Sequence, residues 1–182
     1  MKNTLSGVLV LVIGTSALVA DAKLARTSEP AVVHFNASGP AGLKIVGTTS
    51  ELNTEGDENV IKIVVPLANL TTGIALRDKH MREKYLQVQS YPNATLEVQR
   101  SAIKFPAAGA EVSGDAPGTL TIHGQSRQTT ARYTARKNGD TFAVKGTLHV
   151  NVRDFGIEIP SYLGVTVKPD IDIDVQFGAK DQ

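Results

Sequence analysis

The densest cluster of polar side chains able to do chemistry is Arg77, Asp78 and His80, near the middle of the chain. Asp78 and His80 could act as a general acid and base, and Arg77 could bind an anion or the polar head of a ligand. The same residue types also occur on exposed helix faces, or lock a helix to the rest of a fold. The spacing leaves these interpretations open, although plain surface charge is the commonest use of such residues.

Three aspartates near the C-terminus, Asp170, Asp172 and Asp174, raise the separate question of a cation site. A calcium loop of the helix-loop-helix kind needs glycine at its sixth position, where this chain has Val175. Apolar and polar residues alternate without a break from 165 to 177, which is the period of a strand. Acids on one strand face stand about 7 Å apart, too far apart to wrap one ion. We therefore interpret the aspartates as a solvated strand face and predict no metal site.

The elements that must position these side chains are mostly strands. Period-two alternation recurs in eight segments that are joined mainly by short turn signals, which favours an all-β fold, as an antiparallel sandwich or an eight-stranded barrel. A closed barrel is attractive because it leaves no exposed sheet edge. The eight segments span residues 31–38, 43–50, 58–67, 95–105, 118–124, 130–140, 142–152 and 165–177, with a bulge predicted near Arg100.

One connection, residues 71–87, has helical periodicity instead. Ile74, Met81 and Tyr85 are spaced seven and four apart and so fall on one helical face. Thr72 is a candidate N-cap. We predict one short amphipathic helix between the third and fourth strands, covering the sheet or plugging one end of a barrel.

The inward-facing rows of the strands mix large apolar residues with Ala131, Ala135 and Gly146. The interior of an eight-stranded barrel can be filled by side chains or left open for one ligand. The small inward residues favour an open interior, but glycines at tight bends of a solid core explain them almost as well. An open interior with these walls would accept a long apolar molecule.

Composition and the N-terminus bear on partners and location. Lys and Arg number 19 against 18 Asp and Glu, so no net field favours nucleic acid or an anionic membrane surface. Residues 1–22 combine Lys2, a mostly apolar run and a small-residue cleavage pattern, in the order of a secretory signal peptide. We predict cleavage before Lys23 and no stable membrane insertion afterwards; an uncleaved anchor is the alternative. Cysteine is absent, so the exported domain must be stabilised by its core alone.

Several short motifs then carry a family resemblance through their order and spacing. They are Thr72-Gly73 followed by Arg77-Asp78-Lys79-His80-Met81-Arg82, Tyr85-Leu86 with Tyr91-Pro92, LTIHG at 120–124 and RDFGI at 153–157. In this arrangement the chain resembles the YceI family of bacterial lipid-binding proteins. It departs from the family pattern at residues 30–35, at Gln87 and at Gln128.

The resemblance implies a lipocalin-like barrel over residues 23–182, located in the periplasm. Such a barrel would hold a polyisoprenoid, as a prenyl phosphate or a long-tailed quinone, without covalent attachment. The protein would not be an enzyme and would need no other cofactor. It could form a homodimer. A barrel with a filled core that acts through surface contacts, and an enzyme that uses Asp78 and His80, stay open as alternatives. We predict Arg77 and His80 as candidates for the head group, and the following side chains along the tail: Leu120, Ile122, Tyr133, Phe142, Val144, Leu148, Ile171, Ile173 and Val175.

Overall fold

The computed structural model describes residues 23–162 and 165–182, so the predicted signal segment 1–22 lies outside the described residues. Strands dominate, and the prediction of an all-β fold is confirmed. The strands are β1 (Leu24–Arg26), β2 (Val32–Ser38), β3 (Lys44–Thr49), β4 (Asn53–Gly56), β5 (Val60–Pro66), β6 (Asn93–Gln99), β7 (Glu111–Ile122), β8 (Gln125–Asn138), β9 (Thr141–Asn151), β10 (Ser161–Tyr162), β11 (Val165–Thr166) and β12 (Asp170–Asp181).

One large sheet forms the body of the protein, in the order β3-β2-β12-β9-β8-β7-β6-β5-β4. All neighbouring strands in it are antiparallel, and β1 adds to the far end of β12, where Leu24 pairs with Asp181. Strand β1 also lies against β4, the last strand of the path. The sheet therefore curls until its β4 edge comes back to β1, and it partly encloses one face.

Local sequence explains the long hairpins. Strands β7 and β8 are joined by His123 and Gly124, both in the left-handed region with φ of 52° and 70°. This is the two-residue turn whose twist matches the flanking strands. At Gly124 a side chain is also excluded by space, because a Cβ atom would stand 2.6 Å from the ring of Tyr91.

The structure differs from the predicted strands mainly at their ends. The run from 165 to 177 is divided between β11 and β12, with Pro169 between them, because proline has no N–H to donate to a ladder. Strand β6 ends at Gln99, and a 3-10 turn over Arg100–Ala102 replaces the predicted bulge. Strands β1, β4 and β10 are additional, and each has too few residues to show a period.

The helix occupies the predicted connection, between β5 and β6. It consists of α1 (Ala75–His80) followed by a wider π-helical turn over Met81–Tyr85. The prediction that Thr72 caps it is wrong, because the helix begins only after Ile74 and the Thr72 side chain bonds elsewhere. Ile74 is 53% exposed, whereas Met81 and Tyr85 pack against the core, so the predicted apolar face is only partly buried. None of the helical segments in the described part of the chain has the length and hydropathy of a membrane-spanning helix.

The aspartate row of β12 lies on the outer, solvated face of the sheet, as its alternation predicts. Asp170, Asp172 and Asp174 are exposed. On the neighbouring strands, Asn36 donates to the Asp174 carboxylate at 2.7 Å, and His149 Nδ1 lies 2.7 Å from Asp172 Oδ1. Within residues 23–162 and 165–182, no three His, Asp or Glu side chains are grouped so that they could hold a metal ion.

His149 provides a test of this outer face. The hydrogen bond to Asp172 raises the pKa of His149 despite some desolvation, and the charges of Asp172 and Asp170 act in the same direction. The pair therefore stabilises the fold below the ordinary histidine pKa of about 6.5, and this contribution is lost as the pH rises through the raised value. We expect Asp172→Asn to lower the pKa of His149 in an NMR titration of its ring protons. Asp174→Asn is the control, and an equal shift in both variants would contradict the pairing.

Candidate functional site

The curled sheet encloses a cavity of about 140 Å³ whose walls are almost entirely hydrocarbon. Side chains from β1, β2, β5, β6, β7, β8, β9 and β12 line it. These strands can share one interior because successive side chains of a strand point to opposite faces, so alternate residues of each strand face inward. The cavity is dry by composition, since a water molecule needs two or more polar partners to be held.

The predicted tail-lining residues fall into two groups. Eight of the nine line the cavity, and the exception is Ile171, which packs beside the apolar cluster at one end of it. Sequence reasoning missed Ile103 and Phe105, which come from a connection rather than a strand. Both belong to segment 95–105, which the sequence predicted as a strand, but its alternation slips near Arg100 and does not give their facing. The eight that line the cavity are Leu120, Ile122, Tyr133, Phe142, Val144, Leu148, Ile173 and Val175.

Small residues opposite large ones leave the space open. On facing positions of β7 and β8, Ala116 pairs with Ala131. Tyr133 has a glycine opposite it on both neighbouring strands, Gly114 on β7 and Gly146 on β9. A Cβ atom at Gly114 would stand 3.0 Å from the Tyr133 ring and hydroxyl, so the ring leans over the glycine and not into the centre. The small inward residues thus accompany an open interior.

One end of the cavity is sealed by a buried apolar cluster. Leu67, Leu70, Phe155 and Ile157 belong to it, and Met81 of the π-helical turn packs against it. The helix α1 lies at this end and carries the polar cluster of Arg77, Asp78 and His80.

In that cluster, Arg77 and Asp78 hold the chain together locally. The Asp78 side chain is buried and accepts hydrogen bonds from the Thr71 hydroxyl at 2.6 Å and from the Thr72 backbone N–H at 2.7 Å. Arg77 donates to the Thr72 hydroxyl at 2.6 Å. His80 is exposed, and among the described residues that line the cavity neither Arg77 nor His80 appears. The arrangement locks the helix to residues 71–72, and it places both predicted head-group candidates away from the cavity.

The opposite end is crossed by residues 100–106, which we call the covering segment. Ile103, Lys104 and Phe105 of this segment line the cavity. The Phe105 ring meets Phe142 edge to face, with centroids 5.7 Å apart. Arg100 lies over Phe105 at 4.4 Å and pairs with Asp181 at 2.6 Å. A few contacts therefore hold a short connection across the mouth of the cavity.

The hydroxyl of Tyr133 fixes the covering segment from inside, because it accepts the Lys104 backbone N–H at 2.7 Å. We expect Tyr133→Phe to lower the free energy of unfolding by about 1 kcal/mol, since the N–H loses its acceptor. Hydrogen exchange at the Lys104 amide should become faster, and urea titration gives the stability. Tyr85→Phe is the matched control, because its hydroxyl bonds to none of the described residues. Equal acceleration at Lys104 in both variants would contradict this role of Tyr133.

Comparison with known families agrees with this geometry. A family model described as the YceI-like domain matches residues 24–179. The chain belongs to the YceI-like family. The resemblance predicted from motif order is thus confirmed, and the match covers every strand of the large sheet except the end of β12.

Relatives within the YceI-like family are distant in sequence. A UPF0312 protein of Pseudomonas savastanoi is 27% identical over 175 residues, covering 88% of this chain and 86% of the relative. A UPF0312 protein of Pseudomonas fluorescens is 28% identical over 196 residues, with 96% and 97% covered.

Solved structures share the fold. A polyisoprenoid binding domain from Saccharophagus degradans superposes with a TM-score of 0.74 at 15% identity, over 88% of this chain and 99% of that one. BcnA of Burkholderia cenocepacia gives 0.63 at 18% identity, over 81% and 96%. At these identities the likeness concerns the course of the YceI-like backbone alone.

Proposed function

We propose that this YceI-like protein binds the isoprenoid tail of a lipid inside the sheet, for transport, storage or sequestration. The observation that carries the proposal is the enclosed cavity with hydrocarbon walls. The polyisoprenoid binding domain of Saccharophagus degradans, which shares the fold, supports the choice of an isoprenoid over other apolar ligands.

The driving force would be burial of apolar surface, worth about 25 cal/mol per Å². At roughly 0.8 kcal/mol per buried carbon group, one five-carbon isoprene unit contributes a few kcal/mol before ordering losses. A cavity near 150 Å³ holds a molecule the size of benzene, so the 140 Å³ here matches about one such unit. A longer tail must move the walls or the covering segment outward.

Export is part of the proposal. Residues 1–22 have the order of a secretory signal peptide, and the mature domain would act in the periplasm. Mass spectrometry of the periplasmic protein should then find an N-terminus at Lys23. Protein retained in the cytoplasm with residues 1–22 intact would contradict export.

The direct test of the ligand uses the whole chain expressed with its own N-terminus and recovered under non-denaturing conditions. Native mass spectrometry should show a bound lipid, and an organic extract should identify an isoprenoid. Empty protein in repeated preparations, together with failure to bind added geraniol, would overturn the proposal. Decane serves as an unbranched apolar control with the same number of carbons.

A catalytic role is not part of the proposal. The Asp78 carboxylate is held by Thr71 and Thr72, and exposed His80 shares no cavity with it among the described residues. The open volume in the interior supports lipid binding over the alternative of a filled core that acts through its surface.

A further inference from the structure

Among the described residues that line the cavity, Lys104 of the covering segment is the one of a charged type, and it is also exposed to solvent. The other polar contributors are Thr95, Tyr133 and Thr147. The Tyr133 hydroxyl already accepts the Lys104 backbone N–H. A lysine can cover apolar surface with its carbon stem while its ammonium stays in water, so Lys104 can place a positive charge at the mouth of the cavity.

A second lysine stands at the same mouth. Ala131, Tyr133 and Ala135 form the inward-facing row of β8, and Lys137 continues that row at the end of the strand. Its ammonium lies 5.3 Å from the centre of the Phe142 ring, the ring that meets Phe105. The two lysines therefore adjoin the same pair of aromatic rings.

The charges of these lysines are not balanced by the surrounding protein. Arg100, at the same end, is matched by Asp181 at 2.6 Å. Neither Lys104 nor Lys137 forms an ion pair with a carboxylate of residues 23–162 or 165–182. Two positive charges thus remain beside an opening that leads into hydrocarbon.

At the opposite end Lys84 lies 5.2 Å from the centre of the Tyr85 ring, but neither Lys84 nor Tyr85 is among the described residues that line the cavity. There the apolar cluster seals the cavity, and the nearby arginines are engaged by the protein itself. Arg77 donates to Thr72, and Arg82 donates to the Leu70 carbonyl at 3.0 Å. The two ends therefore differ in access: among the described residues, a lysine lines the cavity at the covering segment and none does at the α1 end, and this difference gives a bound amphiphile a direction.

We propose that the ligand of this cavity carries an anionic head, a phosphate or a carboxylate, held at the covering segment by Lys104 and Lys137 with its tail directed toward α1. The inference rests on the proposed function and moves the head-group site away from Arg77 and His80. Lysine ammonium groups bind such anions through charge-assisted hydrogen bonds, and their flexible stems let them follow the head to the edge of the cavity. A neutral head, such as a quinone ring, gains nothing from this pair.

The test compares geranyl phosphate, geranic acid and geraniol, which share one tail and differ in head group, by calorimetric titration of the full mature chain. We expect the two anions to bind at least about tenfold more tightly than the alcohol, a difference of about 1.4 kcal/mol. The Lys104→Gln/Lys137→Gln double variant should reduce this ratio below about threefold. The matched control is Lys44→Gln/Lys145→Gln, which removes the same charge from exposed positions.

The outcomes separate this inference from the proposed function. Equal binding of all three compounds, or equal losses in the two double variants, would overturn the anionic head site and leave the tail site standing. No binding of any of the three would overturn the proposed function itself. Tighter binding of geranyl phosphate than of geranic acid would assign the site to phosphate. Comparable affinities would assign it to either anion. Both results support the proposal.

Discussion

Replacing Ala131 by phenylalanine is expected to abolish saturable binding of geraniol and of longer prenyl lipids. Ala131 faces the cavity from the middle of β8, opposite Ala116 on β7. A cavity of about 140 Å³ is close to the volume that holds one benzene ring. The new side chain would therefore occupy the space that the tail needs. Calorimetric titration measures the loss, which should exceed a hundredfold in affinity.

The stability of the same variant separates a filled cavity from a damaged fold. Overpacking of a tight core costs about 1–3 kcal/mol, whereas filling existing space costs little. We expect the free energy of unfolding of Ala131→Phe to stay within about 1 kcal/mol of the parent protein. Thr130→Phe adds the same ring to the exposed face of β8 and is the matched control. Normal lipid binding by a folded Ala131→Phe protein would show that the tail lies elsewhere.

Asp78→Ala should be the most damaging single truncation of a charged residue. The carboxylate accepts hydrogen bonds from both the side chain and the backbone of residues 71–72. Removing it leaves several partly buried donors without a partner, so we expect a loss of about 2 kcal/mol in the free energy of unfolding. Urea unfolding at neutral pH measures it. Asp140→Ala, at an exposed turn, should change the stability by less than about 0.5 kcal/mol.

The pH dependence of unfolding gives an independent view of Asp78. Burial alone would raise the pKa of this carboxyl, but the hydrogen bonds from Thr71 and Thr72 and the charge of Arg82 together hold it below its ordinary value. The stabilisation is therefore complete above the ordinary pKa of about 3.9 and is lost as the pH falls through the lowered value. Asp78→Asn should flatten the fall in stability on the acid side of pH 4. An unchanged acid profile would show that Asp78 does not have this linking role.

The face of the sheet to which each strand residue points could be predicted from sequence, because the pleat of a strand directs successive side chains to opposite faces. Phe142, Val144 and Leu148 alternate with polar neighbours, so their inward direction follows from their spacing, and the structure places them in the cavity wall. Strand ends were less predictable. The alternation from 165 to 177 continues across Pro169, although the strand is interrupted there. Alternation shows which way side chains face, but it does not show where backbone hydrogen bonding stops.

The polar residues near the helix show why the head-group site could not be predicted. Residue type suggests anion binding equally for Arg77 and for Lys104, and only tertiary contacts decide between them. The hydrogen bonds to Thr72 engage the Arg77 guanidinium within the protein, whereas Lys104 lines the cavity and is exposed at its mouth. Lys137 could have been found from sequence, because it has the same parity as Tyr133 and ends an apolar row with a charge.

The covering segment connects β6 to β7 and belongs to neither ladder, so lifting it would leave every pairing of the large sheet intact. A bound ligand could then leave past the displaced covering segment while the sheet stays intact. The residence time of the ligand would depend on how often the covering segment opens. Its affinity would depend on the side chains of the cavity walls. The affinity for a bound ligand and the rate of its release would then be set by different parts of the structure, the cavity walls and the covering segment.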